Sequence, residues 1–147
     1  MAETVHASCV LVGARAVLIR GPAGTGKSKL ALDLIDAGRA GRLRFARLVA
    51  DDRVELAAAG GRLIASVPEN IRGLIEVRGL GIRRLVAEPR AVVGLVVDLR
   101  AVDAERLPAG AALAAEINGI RLPRLPVAPG ADPLPLVLAW IFTAAQA

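Results

Sequence analysis

Gly21-Pro22-Ala23-Gly24-Thr25-Gly26-Lys27-Ser28 decides how the rest of this chain is read. The eight residues fit the pattern G-x-x-x-x-G-K-[ST], in which glycines let the backbone turn tightly and bring its N–H groups against phosphate oxygens. Lys27 is placed to offset charge on the outer phosphates. The Ser28 hydroxyl is a natural oxygen ligand for the Mg²⁺ that accompanies a nucleotide such as ATP. The flanking residues supply the setting that the pattern needs. Ala16-Val17-Leu18-Ile19 enters the loop as a short buried strand, and Lys29 to Ala37 leaves it with Leu30, Ala31, Leu34 and Ile35 at helical spacing. Gly38 is expected to stop that helix. The chain holds seventeen arginines but two lysines, Lys27 and Lys29, so a lysine at the motif position stands out from its background.

At 147 residues the sequence is the size of one ordinary domain, and it is read as a single phosphate-loop domain over 1–147. The hydrophobic fraction is 54% and the aromatic fraction 2%, so the core must come from Val, Leu, Ile and Ala, which suits a sheet flanked by helices. Platforms for base stacking are correspondingly scarce. The net charge of +5 is carried by arginines scattered from Arg15 to Arg124 rather than gathered into a basic tract. That pattern favours an anionic ligand or acidic protein partner over nucleic acid. Cys9 stands alone, which fits a reducing compartment and a small core residue in Cys9-Val10-Leu11-Val12. No apolar stretch approaches ~18 residues and no secretory leader pattern opens the chain. The expectation is a cytoplasmic protein without a membrane partner.

Val5 to Val12 reads as one strand, Gly13-Ala14-Arg15 as a turn and Ala16 to Arg20 as its hairpin partner. A strand through Leu48-Val49-Ala50 delivers Asp51 and Asp52. Arg53 to Ala58 and Arg62 to Ser66 flank a Gly60-Gly61 hairpin turn. An antiparallel hairpin at this point departs from an ordinary doubly wound nucleotide-binding sheet, so a mixed sheet is expected. Pro68 to Arg72 reads as a loop or short helix, Ile75 to Arg78 as a short extended piece and Ala91 to Leu99 as the clearest buried strand. Pro108 to Glu116 is ambiguous, Pro123 to Pro135 extended or loop, and Leu136 to Ala145 an amphipathic helix.

Three acidic residues and one histidine are candidates for chemistry. Asp51-Asp52 follows an apolar strand some two dozen residues beyond the loop, where a carboxylate can hold Mg²⁺, orient a nucleophile or accept a hydroxyl proton. Glu76, within Leu74-Ile75-Glu76-Val77, suits a second metal ligand or the exposed position of an alternating strand paired with Arg78. His6, the sole histidine, is by spacing alone a surface residue near a chain end. The first strand of the hairpin would nevertheless place it beside the acidic pair.

Taken in order, His6, GPAGTGKS, the segment Val49 to Glu55 (VADDRVE) and the segment Glu76 to Ile82 (EVRGLGI) resemble the catalytic domain of HPr kinase/phosphorylase. The resemblance covers nearly the whole chain, from about Val5 to the final helix, and EVRGLGI is its most specific part. It implies an α/β domain with a mixed β-sheet and flanking helices around the P-loop, similar to the HPr kinase and phosphoenolpyruvate carboxykinase-like architecture. It implies that Gly21 to Ser28 binds ATP, with Ser28 and Glu76 on Mg²⁺, Lys27 on phosphate and Asp52 as proton acceptor for the attacking serine hydroxyl. His6 and Arg106, in Glu105-Arg106-Leu107, match the family's other active-site residues. Asp51 is given no role, and its replacement is expected to be milder than that of Asp52.

The activity so implied is ATP-dependent phosphorylation of a serine on HPr or an HPr-like phosphocarrier of a phosphotransferase system, by a homo-oligomer, commonly a hexamer. The family's separate N-terminal domain is not in this sequence, as in short forms resembling those of alphaproteobacteria. The family segment Pro-Val-Arg-Pro-Gly-Arg, which serves dephosphorylation, is here Pro126-Val127-Ala128-Pro129-Gly130-Ala131. Both arginines are replaced, so dephosphorylation is expected to be weak or absent. A small-molecule kinase using the same loop and a non-catalytic ATP-binding regulatory subunit are the alternatives. A DNA-binding module is the remotest of the readings.

Overall fold

The apolar segments become the centre of a mixed sheet in the computed structural model, which describes residues 3–145. In chain order the elements are β1 (Glu3–His6), β2 (Ser8–Val12), β3 (Arg15–Arg20), α1 (Lys27–Arg39), β4 (Ala46–Ala50), β5 (Arg53–Ala59), β6 (Arg62–Ser66), β7 (Leu74–Val77), β8 (Gly81–Arg84), β9 (Arg90–Asp98), β10 (Ala114–Ile117), β11 (Ile120–Pro126) and α2 (Pro133–Phe142). Nine strands form one sheet in the order β1-β5-β6-β9-β3-β2-β4, with β11 also on β9 and β10 outside β11, while β7 and β8 make a separate hairpin. The α/β class and mixed sheet expected from the sequence are therefore observed.

Strand direction is what positions the site. β3, β9 and β11 are parallel. β4 is antiparallel to β2, and β2 to β3, so β4 runs with them. Four carboxyl ends thus meet at one edge and deliver the phosphate loop, the segment after Leu99, the segment after Pro126 and Asp51. The carboxyl edge is where open α/β sheets gather ligand-binding loops.

Period-two alternation gives the central strands two apolar faces. Val17 and Ile19 of β3, with Leu95 and Val97 of β9, pack under Leu30, Leu34 and Ile35 of α1 and Val137 and Leu138 of α2. Ala16, Leu18, Val93 and Val96 face the opposite way, onto Val54, Leu56 and Leu63 of the β5–β6 hairpin. Each large side chain so buried is worth about 1.5–3 kcal/mol. An irregularity in the β3–β9 pairing near Gly94 allows Val93 and Val96, three apart, to share a face.

Several boundaries differ from the sequence reading. Val5 to Val12 is two strands rather than one, because the chain changes partner at Ala7: β1 pairs with β5 and β2 with β3 and β4. Gly38 does not stop α1, which runs to Arg39; a Cβ at Gly38 would lie 2.8 Å from the Ala46 Cβ, so the glycine serves close packing of α1 on β4. The proline-rich stretch contributes the strand β11, whose Pro123 and Pro126 need no amide donor in a pairing that lies partly at the sheet's margin. The final helix begins at Pro133 rather than Leu136, since Asp132 accepts from the Leu134 amide at 3.2 Å and Pro133 suits the first helical position. It carries no charged residue and exposes Leu136, Trp140 and Phe142, so it is not amphipathic in the usual sense.

Cys9 is fully buried, as its apolar surroundings predict, and burial pushes its thiol up to about 12 from an ordinary 9.0. The native thiol should therefore resist thiol-specific reagents at pH 8 and react on unfolding. The sign of the linkage follows. Above pH 9.0 the unfolded thiol loses its proton while the folded one keeps it, so stability from this group is whole below pH 9.0 and declines as pH rises toward about 12. Chemical denaturation across that window, compared with Cys9→Ala, measures the effect.

Candidate active site

The loop between β3 and α1 has the shape that its glycines allow. Gly21 lies against Leu99, where a Cβ would meet the Leu99 Cβ at 3.1 Å and the Thr25 Oγ1 at 2.8 Å. Gly26 caps α1 in the left-handed conformation at φ 97°, which turns the chain abruptly into the helix. The Thr25 hydroxyl donates to the Pro22 carbonyl at 2.7 Å and ties the loop across its base. Lys27 is buried in the first turn of α1, and its Nζ donates to the carbonyls of Gly21 at 2.8 Å and Pro22 at 3.1 Å.

Asp51 is the hub of the site, a role that sequence spacing did not reveal. Its carboxylate is buried and accepts from Ser28 Oγ at 2.7 and 2.9 Å, from Ser8 Oγ at 2.6 Å and from the Glu76 backbone N–H at 3.1 Å. No cation pairs with it among the described residues. Strand β2, the end of the phosphate loop where it enters α1, and strand β7 thus converge on one carboxylate at the end of β4. The antiparallel register explains how Ser8 reaches it: Cys9 faces Ala50 and His6 faces Arg53, which brings Ala7 and Ser8 opposite Asp52 and Asp51.

Asp52 breaks the alternation. Its φ of 72° is left-handed, an uncommon state that Asp tolerates better than most residues. The two neighbouring carboxylates then engage the same strand pair two residues apart, Asp51 at Ser8 and Asp52 at His6. His6 Nε2 lies 2.7 Å from Asp52 Oδ1, with the two side chains 61% and 64% exposed, so this pair is open to solvent. His6 thus stands beside the acidic pair, as expected, but through the pairing of β1 with β5 and not on the β2–β3 hairpin.

Glu76 reaches the site through its backbone, while its exposed carboxylate makes no hydrogen bond or ion pair among the described residues. Arg106 is exposed on the segment after β9, at the same edge of the sheet, but no contact among the described residues brings its side chain to Asp52. A hard divalent cation fits the donors that are present. They are all oxygen, one is a buried carboxylate without a cationic partner, and Mg²⁺ is usually held by one or two carboxylates together with substrate phosphates.

Behind the loop an ion network fastens the carboxyl edge. Arg20, the residue before Gly21, donates to both Asp98 oxygens at 2.7 and 2.8 Å, and Arg124 adds a bond to Asp98 and pairs with Asp103. Burial alone would raise the Asp98 carboxyl, but the two guanidinium groups outweigh it and hold the group below the ordinary carboxylate range. Arg124, 14% exposed, is thereby committed to its partners. Ala128 and Ala131 line a cleft of about 210 Å³ with Gly24, Thr25, Leu99 and Arg100, which places the altered segment against the phosphate loop.

Sheet order, loop and acidic edge together define an α/β domain of the P-loop kinase-like fold. The sequence profile of the HPr Serine kinase C-terminal domain matches residues 1–141, and the chain belongs to that family. It is similar to an HPr kinase/phosphorylase of Geobacillus thermodenitrificans, 40% identical over 139 residues that cover 86% of this chain and 43% of that protein. It is 45% identical over 80 residues to one from Caldanaerobacter subterraneus subsp. tengcongensis, covering 54% of this chain and 24% of that protein. The chain therefore spans less than half the length of these relatives. Among solved structures, the Hpr(Ser) kinase/phosphatase from Coxiella burnetii superimposes with a TM-score of 0.75 at 28% identity, covering 95% of this chain and 94% of that one.

Proposed function

We propose that this domain transfers the γ-phosphoryl group of ATP to a serine hydroxyl of HPr or an HPr-like phosphocarrier. The observation that carries the proposal is the division of labour between adjacent carboxylates, Asp51 buried against the phosphate-loop serine and Asp52 open beside His6. Backbone N–H groups of the loop and the N-terminus of α1 bind the phosphates, and Lys27 Nζ lies in the same cradle. Mg²⁺, when bound through Ser28 with Asp51 or Glu76, supplies charge neutralisation on the phosphate oxygens. Asp52 accepts the proton of the substrate hydroxyl as the serine oxygen bonds to the γ-phosphorus and the bond to the bridging oxygen breaks, releasing ADP. His6 holds the Asp52 carboxylate in place. Arg106, on its segment at the same edge, is the remaining candidate for transition-state charge.

ADP release by the purified protein with Mg²⁺ and ATP should rise on adding the host's HPr-like protein and stay flat with a mixture of small metabolites. Stimulation by a metabolite alone would favour a small-molecule kinase, and tight ATP binding without any ADP release would favour a regulatory subunit.

The reverse reaction is proposed to be weak or absent. Attack of inorganic phosphate on a phosphoserine crowds anionic oxygens into one place, and alanine at 128 and 131 offers neither charge nor donor. Arg124 is tied to Asp98 and Asp103, which argues against its standing in. Phosphorylated carrier mixed with the protein, Mg²⁺ and excess phosphate should persist, and rapid release of pyrophosphate would contradict this direction of action.

A further inference from the structure

Ser8 has no solvent exposure, although it carries a hydroxyl on a strand of apolar residues. The fold has spent a buried position on it, and its Oγ donates to Asp51 Oδ1 at 2.6 Å. A serine hydroxyl has one proton and two lone pairs. By accepting the Ser28 proton, Asp51 leaves the Ser28 lone pairs to face a cation, provided the carboxylate itself is held in one orientation. Only two other donors among the described residues hold it: Ser8 Oγ and the Glu76 N–H. The Glu76 amide bonds Oδ2 and the Ser8 hydroxyl Oδ1, so each oxygen has one fixed donor and the plane of the carboxylate is set.

We propose that Ser8 is a positioning residue for the cation–nucleotide site, acting through Asp51 on the Ser28 hydroxyl. The proposal rests on the phosphate loop binding a nucleotide with Mg²⁺, as argued above, but not on the identity of the phosphoryl acceptor. Without Ser8 the buried carboxylate keeps one fixed donor and can turn, and the Ser28 proton is no longer directed to one place. A cation then has to organise the site that the strand now organises in advance.

The test is binding of a fluorescent ADP analogue, with and without Mg²⁺, to the intact protein and to Ser8→Ala, Ser8→Cys and Ser8→Thr, with melting curves for each. Ser8→Ala should bind the Mg²⁺-free nucleotide as the parent does and lose about tenfold of the gain that Mg²⁺ confers, the scale of one charge-assisted hydrogen bond. Ser8→Cys, close in size and a weak donor, should fall between, and it serves in place of Ser8→Ala if that variant does not fold. Ser8→Thr keeps the hydroxyl and should keep the gain. Equal losses with and without Mg²⁺ would make Ser8 a packing residue and overturn the proposal. So would a gain that Ser8→Ala leaves whole. A parent protein with no Mg²⁺ gain would overturn the cation–nucleotide reading together with this one.

Discussion

Asp52→Asn is expected to bind ATP as the parent does and to transfer phosphate about 10²–10⁴-fold more slowly, the usual contribution of a positioned proton acceptor. The amide keeps the shape of the side chain and its place beside His6, but it has no basic oxygen for the hydroxyl proton. Because Asp52 is 64% exposed and bonds neither loop nor core, its replacement should leave melting temperature nearly unchanged. The loss then appears in kcat rather than in nucleotide affinity. Single-turnover transfer with saturating ATP measures it. Transfer at the parent rate would remove Asp52 from the chemistry.

Asp51→Asn should behave differently, and not more mildly as the sequence alone suggests. An amide would set its own N–H₂ against at least one of three converging donors in a buried place, so both stability and Mg²⁺-dependent binding should suffer. The two neighbouring residues are thus separable by readout. One governs a rate and the other a binding site.

Lys27→Ala carries the second large effect. Loss of a charge-assisted contact to phosphate is worth about 1.5–3 kcal/mol, or roughly 10- to 150-fold in nucleotide affinity. The burial of Lys27 adds a consequence that an exposed lysine would not have. Its Nζ spans the Gly21 and Pro22 carbonyls, and without it the loop loses two internal bonds, costing on the order of 1 kcal/mol of stability. Titration with a fluorescent ATP analogue, paired with a melting curve, reads both. Unchanged affinity in a folded Lys27→Ala protein would take the phosphate loop out of the account.

Much of this was legible in the sequence for definite physical reasons. The loop, its entering strand and its helix are local features whose glycines and apolar periodicity declare themselves within thirty residues. The Gly60-Gly61 hairpin and the β9 strand are equally local. What spacing could not show was convergence. Ser8 reads as a small residue in an apolar run, and its partner Asp51 lies 43 positions away. The pairing becomes visible only once β2 and β4 are in register. A hydroxyl opening the apolar run of β2 was the one available signal. Gly38 misled because a glycine near a helix end usually terminates it, whereas here tertiary packing on Ala46 set the requirement. The Arg20–Asp98–Arg124 network was likewise hidden, since its members come from three strands that only the parallel topology brings together. Glu76 was singled out by its place among apolar residues as well as by resemblance, Arg106 by resemblance alone, and neither side chain makes a hydrogen bond or ion pair among the described residues.

The most direct test of the central claim is the position of the transferred phosphate. The protein is incubated with Mg²⁺, γ-labelled ATP and the host's HPr-like carrier, and the carrier is then mapped by mass spectrometry. The account predicts one acid-stable phosphoserine on the carrier, formed by the parent protein and not by Asp52→Asn. A carrier that stays unmodified while the parent protein binds and consumes ATP would contradict it.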